Sequence, residues 1–404
     1  MSKWKGVFSP MDGENGELDR EGPFHVLSVG TELEFCLGAV PYGIVDPEPD
    51  DERKVYGIME REISANSAEP TIPQVFRFEI QQRIDRAERT QRHLANTLVK
   101  AGYKAVAEID MNMDPHDMSL DCWTITEDST IQPPAAEGDE KRYVFQKIEV
   151  VSPAFLATEG SLAQIREICL LIIRTYRTCG GPSTGLHVHV GNSTRGFDSE
   201  TLQNVMAMLW TFEPQLETLH PEHRRNNDYC LPLRRASGLT LRMAAENIPL
   251  RKSLDVIYKT TSINDLIWLM GSADGSGYKM CVNIHNLMEP YVDADGLSCQ
   301  RDDEVKKTIE FRGHEGTLDP ARVYWWTKVC LRVVEFSQEC QIWKLRVWLS
   351  WHIHDTVDGF PAVALLYAMK LPLAAQYYEE QLNKRDAVSD KSRTLISFSP
   401  QDRF

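Results

Sequence analysis

Hydrophobic and polar positions alternate along several short segments of the chain, and apolar residues recur at helical spacing along others. The alternation predicts β-strands at residues 24–37, 104–109, 122–127, 142–151, 185–191, 278–287 and 307–314. Apolar residues three or four positions apart predict helices at residues 73–102, 161–177, 199–219, 319–343 and 362–382. Because these elements follow no regular βα repeat, the pattern predicts an α+β fold with its strands gathered in one sheet.

Clusters of Pro, Gly and charged residues separate these elements and predict loops. They lie at residues 41–51, 133–141, 271–277 and 293–304, and the basic stretch 220–235 is predicted to be irregular. Residues 1–24 are polar and predict a loose leader, and residues 389–404 predict a loose tail. Since no repeat or linker divides the remainder, the sequence predicts a single catalytic domain over residues 25–388.

The composition narrows the class of protein. The 404 residues are 42% hydrophobic and 25% charged, which is sufficient for a sizeable core. A net charge of -15 disfavours nucleic acids and anionic membranes as partners, because both are polyanions. The nine cysteines are scattered, and no apolar run reaches the roughly 20 residues of a membrane span. We therefore expect reduced thiols and a cytoplasmic location.

Side chains at positions i and i+2 of a strand share one face, so the predicted strands pair several ionisable or polar groups. These pairs are Glu32 with Glu34, Lys147 with Glu149, His187 with His189, Asn283 with His285, and Glu310 with Arg312. Any one pair is typical of a half-buried strand whose polar face meets water. Their recurrence on five predicted strands, three of them bearing histidine, predicts one shared sheet face.

Four carboxylates on such a face, Glu32, Glu34, Glu149 and Glu310, predict a metal site. At about 4 Å each ionised pair would repel by several kcal/mol at an effective dielectric near 20, and a divalent cation removes that conflict. Oxygen-rich sites with histidine favour Mg²⁺ or Mn²⁺ over Zn²⁺. Arg312 and Lys147 would remain available for an anionic ligand, which is the equipment of phosphoryl transfer.

Several common catalytic signatures are absent from the sequence. It has no G-x-x-x-x-G-K-[ST] phosphate loop and no G-x-G-x-x-G dinucleotide motif. It also lacks a nucleophile elbow and an HExxH zinc motif. These absences disfavour P-loop enzymes, dinucleotide-dependent dehydrogenases, α/β-hydrolases and HExxH metalloproteases.

The remaining motifs, in their order along the chain, resemble a known family. They are the Glu32-x-Glu34 strand, Glu149-x-x-Ser-Pro, Gly-Leu-His187-Val-His189-Val-Gly and Glu310-Phe-Arg312, with shorter matches at residues 123–129, 229–232 and 283–287. Together they resemble the amidoligase family that is common in fungi, within the glutamine synthetase and glutamate–cysteine ligase superfamily. The resemblance covers residues 26–320. It implies a curved, mostly antiparallel sheet flanked by helices, with ATP and metals on its concave face.

The resemblance also implies roles for individual residues. Metal ligands would be Glu32, Glu34, Glu149, His187 and Glu310. The catalytic residues would be Arg312, Glu310 and His189, with Arg312 and His189 contacting the phosphates of ATP. The cofactor-binding residues would be His189, Arg312, Lys147 and Asn283. A weaker correspondence places Asp128, Ser129, Arg225 and Tyr229 near the substrate. For Arg225 in particular, a solvated basic face remains an equal alternative.

The implied activity is an ATP- and Mg²⁺-dependent carboxylate–amine ligase acting through an acylphosphate. Its partners would be a small-molecule or peptide carboxylate and an amine, and neither the acid nor the general base is identified. The glutamine synthetase flap and ammonia-site segments are not recognisable, which disfavours ammonia as acceptor. Alternatives are an ATP-dependent guanidine-type kinase on the same fold, a metal-dependent amidohydrolase and a catalytically inactive scaffold.

The sequence leaves the oligomeric state open, with a homo-oligomer among the options. Five tryptophans in the C-terminal region are predicted to be core or subunit-interface residues: Trp325, Trp326, Trp343, Trp348 and Trp351.

Overall fold

The computed structural model describes twelve stretches of the chain together with the isolated residue 4. The stretches are residues 7–11, 27–41, 45–46, 48–53, 56–58, 74–111, 121–134, 143–193, 195–225, 227–272, 279–292 and 306–388, and residues 298–299 form one further pair. Most of the predicted leader, the tail from residue 389, and most of the loops predicted at 133–141, 271–277 and 293–304 lie outside the described residues.

Twelve strands occur within the described residues. They are β1 (Ser28–Pro41), β2 (Tyr56–Ile58), β3 (Ala105–Ala107), β4 (Trp123–Thr126), β5 (Val144–Val151), β6 (Phe155–Leu156), β7 (Thr178–Cys179), β8 (Gly185–Gly191), β9 (Val282–Asn283), β10 (Tyr291–Val292), β11 (Ser298–Cys299) and β12 (Thr308–Glu315).

Twelve α-helices accompany these strands in the same part of the chain. They are α1 (Gln74–Lys100), α2 (Glu159–Thr175), α3 (Ser199–Glu217), α4 (Glu222–Arg225), α5 (Leu233–Ala236), α6 (Gly238–Glu246), α7 (Ser253–Ile257), α8 (Ile263–Met270), α9 (Pro320–Glu339), α10 (Ile342–His352), α11 (Ala362–Ala368) and α12 (Pro372–Val388).

Ten of the strands form one open sheet in which β1 is central. The main path runs β3-β4-β5-β1-β8-β12-β9, and β2, β6 and β7 also pair with β1. Only β1–β2 and β3–β4 are parallel among the described pairs, so the sheet is mostly antiparallel. The predicted α+β class with one mostly antiparallel sheet and flanking helices is therefore confirmed.

The sheet has one apolar face because apolar and polar side chains alternate along its central strands. On β1, Leu33 and Phe35 are fully buried, and Ile148 of β5 and Val188 of β8 lie on the same side. Helix α9 packs on β8 with α2 and α3 against it, and α1 covers β3, β4 and β5. Each such side chain stabilises the fold by about 1.5–3 kcal/mol on burial, which fixes the register and leaves the other face free for polar residues.

Three predicted elements differ from the structure for local reasons. The strand predicted at 278–287 is reduced to β9, because the Asn283 side chain accepts the His285 N–H at 2.8 Å and the chain enters a 3-10 turn. The helix predicted at 319–343 ends at Glu339, before α10. The helix predicted at 362–382 divides into α11 and α12, where Lys370 adopts a positive φ before Pro372.

Two further observations concern the predicted irregular stretch and membranes. The basic stretch 220–235 contains the short helices α4 and α5, so it is not wholly irregular. Among the described residues, every helix is too short or too polar to cross a membrane.

Candidate active site

The register of the central strands places at least one member of each predicted pair on one face of the sheet. Residues directly opposite each other in an antiparallel ladder share a face. The opposed pairs are Glu32 with His187, Glu34 with Glu149, Glu310 with His189 and Glu310 with Asn283. Five strands distant in sequence thus contribute to a single polar surface, which we call the carboxylate face: Glu32, Glu34, Glu149, His187, His189, Asn283 and Glu310.

His187 lies at the centre of the carboxylate face. Its Nδ1 is 3.0 Å from Glu32 Oε2 and 3.7 Å from Glu310 Oε1, and its Nε2 is 3.4 Å from Glu34 Oε1. The residue is only 3% exposed. Burial alone would lower the pKa of His187, but the neighbouring carboxylates, above all Glu34, outweigh it and raise that pKa.

His189 bridges the two carboxylates on its side of the face. Its Nε2 is 3.0 Å from Glu32 Oε1 and 4.0 Å from Glu310 Oε1. Its Nδ1 lies 3.0 Å from the hydroxyl of Thr308, which fixes the ring orientation. Despite that proximity, the buried Nε2 atom has no hydrogen bond of acceptable geometry to any described residue.

That unsatisfied nitrogen is part of a set that fits a divalent cation. One ligand atom each from Glu32, His189 and Glu310 lies within 4.8 Å of the other two. Two carboxylates and one imidazole, with His187, Glu34 and Glu149 alongside, form the oxygen-rich donor set that Mg²⁺ and Mn²⁺ prefer. Glu32, His189 and Glu310 therefore fit the predicted metal. This group contains His189, which was predicted to contact phosphate, and does not contain His187, which was predicted to be the metal ligand.

The four carboxyl groups are electrostatically unequal. Burial favours the neutral form of Glu32 and Glu310, but the interaction with His189 and the other neighbouring basic side chains holds the pKa of each carboxyl group below its ordinary value. Burial and repulsion from Glu32 and Glu34 raise the pKa of Glu149 well above its ordinary value, and burial also raises the pKa of Glu34. Without a bound cation, Glu34 and Glu149 therefore lose their protons at higher pH than free glutamates do.

Three cationic side chains border the carboxylate face. Arg312 Nη1 is 2.5 Å from Glu310 Oε1 and 3.5 Å from His187 Nδ1, and this pairing helps to raise the pKa of Arg312 against its burial. Lys147 Nζ donates to the Ser129 carbonyl at 2.9 Å. Lys306 Nζ is 3.3 Å from Glu32 Oε1 and remains one-third exposed.

Lys306 was not predicted from the sequence. The signal was available, since the alternation that places Glu310 on the carboxylate face continues backwards through Thr308 to Lys306. Thr308 was also not predicted, because the sequence analysis paired neighbouring ionisable groups and did not follow the alternation further along the strand.

Gly185 allows the face to close around His187. Its N–H donates to Glu34 Oε2 at 2.6 Å. A Cβ added at Gly185 would lie 2.7 Å from His187 Nε2, a distance that side-chain carbons do not tolerate. The glycine that opens the Gly-Leu-His-Val-His motif therefore has a steric function in positioning the first histidine.

The predicted substrate residues fall into two groups. Asp128 lies close enough for its charge to contribute to the raised pKa values of Glu34 and Glu149, and the Ser129 carbonyl holds Lys147. Arg225, by contrast, donates to the carbonyls of His220 and Thr218, and the Tyr229 N–H bonds to the Asn227 side chain. The structure therefore brings Asp128 and Ser129 to the carboxylate face, whereas Arg225 and Tyr229 contact the 218–227 segment.

The adjacent Arg224 is the more deeply placed arginine of that segment. It is 3% exposed, and its guanidinium donates to the carbonyls of Thr184 and Arg312. These bonds connect Thr184, the residue before β8, with Arg312, whose guanidinium group is predicted to bind phosphate. Arg224 thus supports the backbone beneath the face rather than presenting a charge to it.

A comparison with known families bears on this arrangement. The family model described as "Putative amidoligase enzyme" matches residues 25–334, which is 334 − 25 + 1 = 310 of the 404 residues. The chain belongs to this amidoligase family. The matched region includes every residue of the carboxylate face, together with Lys306 and Arg312. A search of curated proteins found no significant match to the chain.

Proposed function

We propose that this amidoligase is an ATP- and Mg²⁺-dependent carboxylate–amine ligase that forms an amide through an acylphosphate. One observation carries the proposal, namely that four carboxylates and two imidazoles converge on one sheet face beside Arg312 and Lys306. A metal site bordered by cations suits a polyphosphate, and the family points to amide formation.

We further propose that the family is related to the glutamine synthetase and glutamate–cysteine ligase superfamily. The mostly antiparallel sheet and the location of all predicted ligands on one of its faces support that relation. The order of motifs, with Glu-x-Glu on β1, His-x-His on β8 and Glu-x-Arg on β12, supports it independently.

The residues have distinct roles in this proposal. Glu32, His189 and Glu310 would hold the cation, with His187, Glu34 and Glu149 completing the donor set. When bound, Mg²⁺ would neutralise charge on the phosphate oxygens of ATP.

The cationic neighbours serve the phosphate and the substrate. Arg312, held beside Glu310, would donate to the phosphoryl oxygens, and Lys306 would receive a terminal phosphate from the more open side. Asn283 orients Glu310 through a 2.9 Å hydrogen bond from its amide. Asp128 lies on a loop close enough to affect the pKa of Glu34 and Glu149, and we propose it as the general base that would accept a proton from the incoming amine.

The test is product analysis with the purified protein, Mg-ATP and a panel of acids and amines. We expect ADP and phosphate to be released only when a suitable acid and amine are both present, with the amide identified by mass spectrometry. Glu310→Ala and His187→Ala should abolish turnover while circular dichroism shows unchanged folding. Full activity in either variant would reject the site assignment, and Glu222→Gln, which removes an exposed charge on α4, is the control.

The same experiment distinguishes the alternatives. A stable phosphorylated product without amide would identify a kinase, since Arg312 and Lys306 could serve phosphate transfer to either acceptor. Bound zinc with turnover independent of ATP would identify an amidohydrolase. The open antiparallel sheet disfavours that class, because strand-borne His-x-His amidohydrolases use a parallel α/β barrel.

A further inference from the structure

Helix α10 is apolar on both of its faces. Leu345, Trp348 and Leu349 are fully buried against the core, as expected for an amphipathic helix. The opposite face, however, carries Trp343, Val347 and Trp351, which are 61%, 42% and 61% exposed. Large aromatic side chains on an outward helix face are characteristic of contact surfaces rather than of solvent-facing ones.

The N-terminal segment extends this surface. Phe8, itself 53% exposed, packs on Trp351 with ring centroids 5.9 Å apart. We call Phe8, Trp343, Val347 and Trp351 the aromatic stripe. Among the described residues, the other tryptophan exposed by more than half is Trp268, which is on α8 and packs edge-on against Tyr291.

We propose that the aromatic stripe is the interface of a two-fold homodimer, in which α10 packs antiparallel to α10 of a second copy. The spacing supports a second copy as the occupant, because the tryptophans lie four residues before and four residues after Val347. A two-fold axis through Val347 would therefore place Trp343 of each copy against the partner's Trp351. Such an isologous contact requires a self-complementary surface of this kind.

The area of the stripe matches the apolar part of an interface of standard size. Because an aromatic side chain presents about 150–250 Å², the measured exposures amount to roughly 450 Å² of apolar surface per copy. Two copies would bury roughly 900 Å² of apolar surface, and since interfaces are about 57% apolar, the whole contact would reach roughly 1,600 Å². That is the standard size of a specific interface.

Charge on α10 also permits this contact. Two copies of a protein with net charge -15 repel each other, but α10 has no acidic residue and carries Lys344 and Arg346. Arg346 stacks on Tyr258 at 4.5 Å and lies 3.6 Å from Asp255, so its charge is already compensated within the copy. The face around the stripe therefore opposes association less than an average acidic surface would.

The experiment measures mass and proximity in the full-length protein. Sedimentation equilibrium should give twice the 46.1 kDa of the chain. Trp343→Glu with Trp351→Glu should raise the dimer dissociation constant by roughly 30-fold or more, as expected for hot-spot tryptophans. Trp268→Glu is the matched control for placing a charge at an exposed tryptophan, and it should leave the dimer unchanged.

Cross-linking locates the axis independently of any loss of stability. Val347→Cys should form a covalent dimer under mild oxidation, whereas wild type and Ser350→Cys, an exposed position on the same helix, should not. A monomeric wild type would overturn the proposal, whether or not another protein binds the stripe. So would a dimer that survives both tryptophan substitutions or fails to cross-link through Val347→Cys. The outcome does not depend on the proposed ligase activity.

Discussion

Replacement of Glu149 by glutamine should stabilise the metal-free protein at neutral and higher pH. Glu149 lies directly opposite Glu34 on the carboxylate face, and burial together with repulsion raises its pKa well above the ordinary value of 4.5. Glutamine keeps the size and polarity of the side chain but carries no charge. Glu149→Gln therefore removes one like-charge interaction from the face while leaving its packing intact.

The magnitude follows from the register of β1 and β5. Opposed residues in an antiparallel ladder have Cβ atoms about 5 Å apart, where two unit charges repel by roughly 3 kcal/mol at an effective dielectric near 20. Protonation of Glu149 relieves part of that energy, so we expect a gain of about 1–2 kcal/mol in the free energy of unfolding, or roughly 1–3 °C in Tm.

The pH dependence has a definite sign. The folded protein keeps the Glu149 proton to higher pH than the unfolded chain does, so wild-type stability falls as pH rises from 4.5 through the raised pKa. Glutamine has no proton to lose. The advantage of Glu149→Gln should therefore be absent below pH 4.5 and greatest above the raised pKa.

The assay is thermal unfolding of both proteins in EDTA between pH 4 and pH 9, then again with Mg²⁺ or Mn²⁺. Metal at 100 times the wild-type Kd should stabilise wild type by about 2.7 kcal/mol, and it should stabilise the variant by less. Glu222→Gln controls for the change in net charge. The reasoning is refuted if metal-free Glu149→Gln is less stable than wild type at pH 8, or if their difference is the same at pH 4 and pH 8.

Three further predictions concern single residues. Arg312→Lys should lower the rate of ADP release by about 10²–10³-fold with folding unchanged, because lysine lacks the forked N–H donors of the guanidinium group. A variant with the wild-type rate would exclude a contact between Arg312 and the phosphoryl group. Gly185→Ala should weaken Mn²⁺ binding about 10–100-fold in calorimetry, because the Cβ of the alanine would displace His187. An unchanged Kd for Mn²⁺ would argue against His187 as a ligand. Arg332→Met should lower the free energy of unfolding in urea by about 3 kcal/mol, because the fully buried Arg332 pairs with two glutamates of α9 and donates to the Met369 carbonyl. A variant as stable as wild type would show that these bonds contribute little.

The faces of the central strands could be predicted from the sequence because alternation is a local property. Glu32 and Glu34 had to lie opposite Leu33 and Phe35 on β1, whatever strand paired with it. The same rule placed His187 with His189 correctly. What alternation could not give is the strand order, since the position of β1 between β5 and β8 depends on long-range pairing.

Local hydrogen bonds explain why the sequence predictions for residues 283–285 and for the basic stretch differ from the structure. Asn283 and His285 were predicted to share a strand face, but the Asn283 side chain ends β9 by accepting the His285 N–H. The basic stretch looked uniform in sequence, yet Arg224 is buried against backbone carbonyls while Arg225 is half-buried on the surface segment. Such differences arise from tertiary contacts that composition does not record.

The most direct test of the central claim is calorimetric titration of the protein with a non-hydrolysable ATP analogue. We predict binding in the presence of Mg²⁺ and none in EDTA, with Glu310→Ala weakened at least about tenfold and Glu222→Gln unchanged. Wild-type protein that fails to bind the analogue with Mg²⁺, or a Glu310→Ala variant that binds it equally well, would contradict a Mg-ATP site on the carboxylate face.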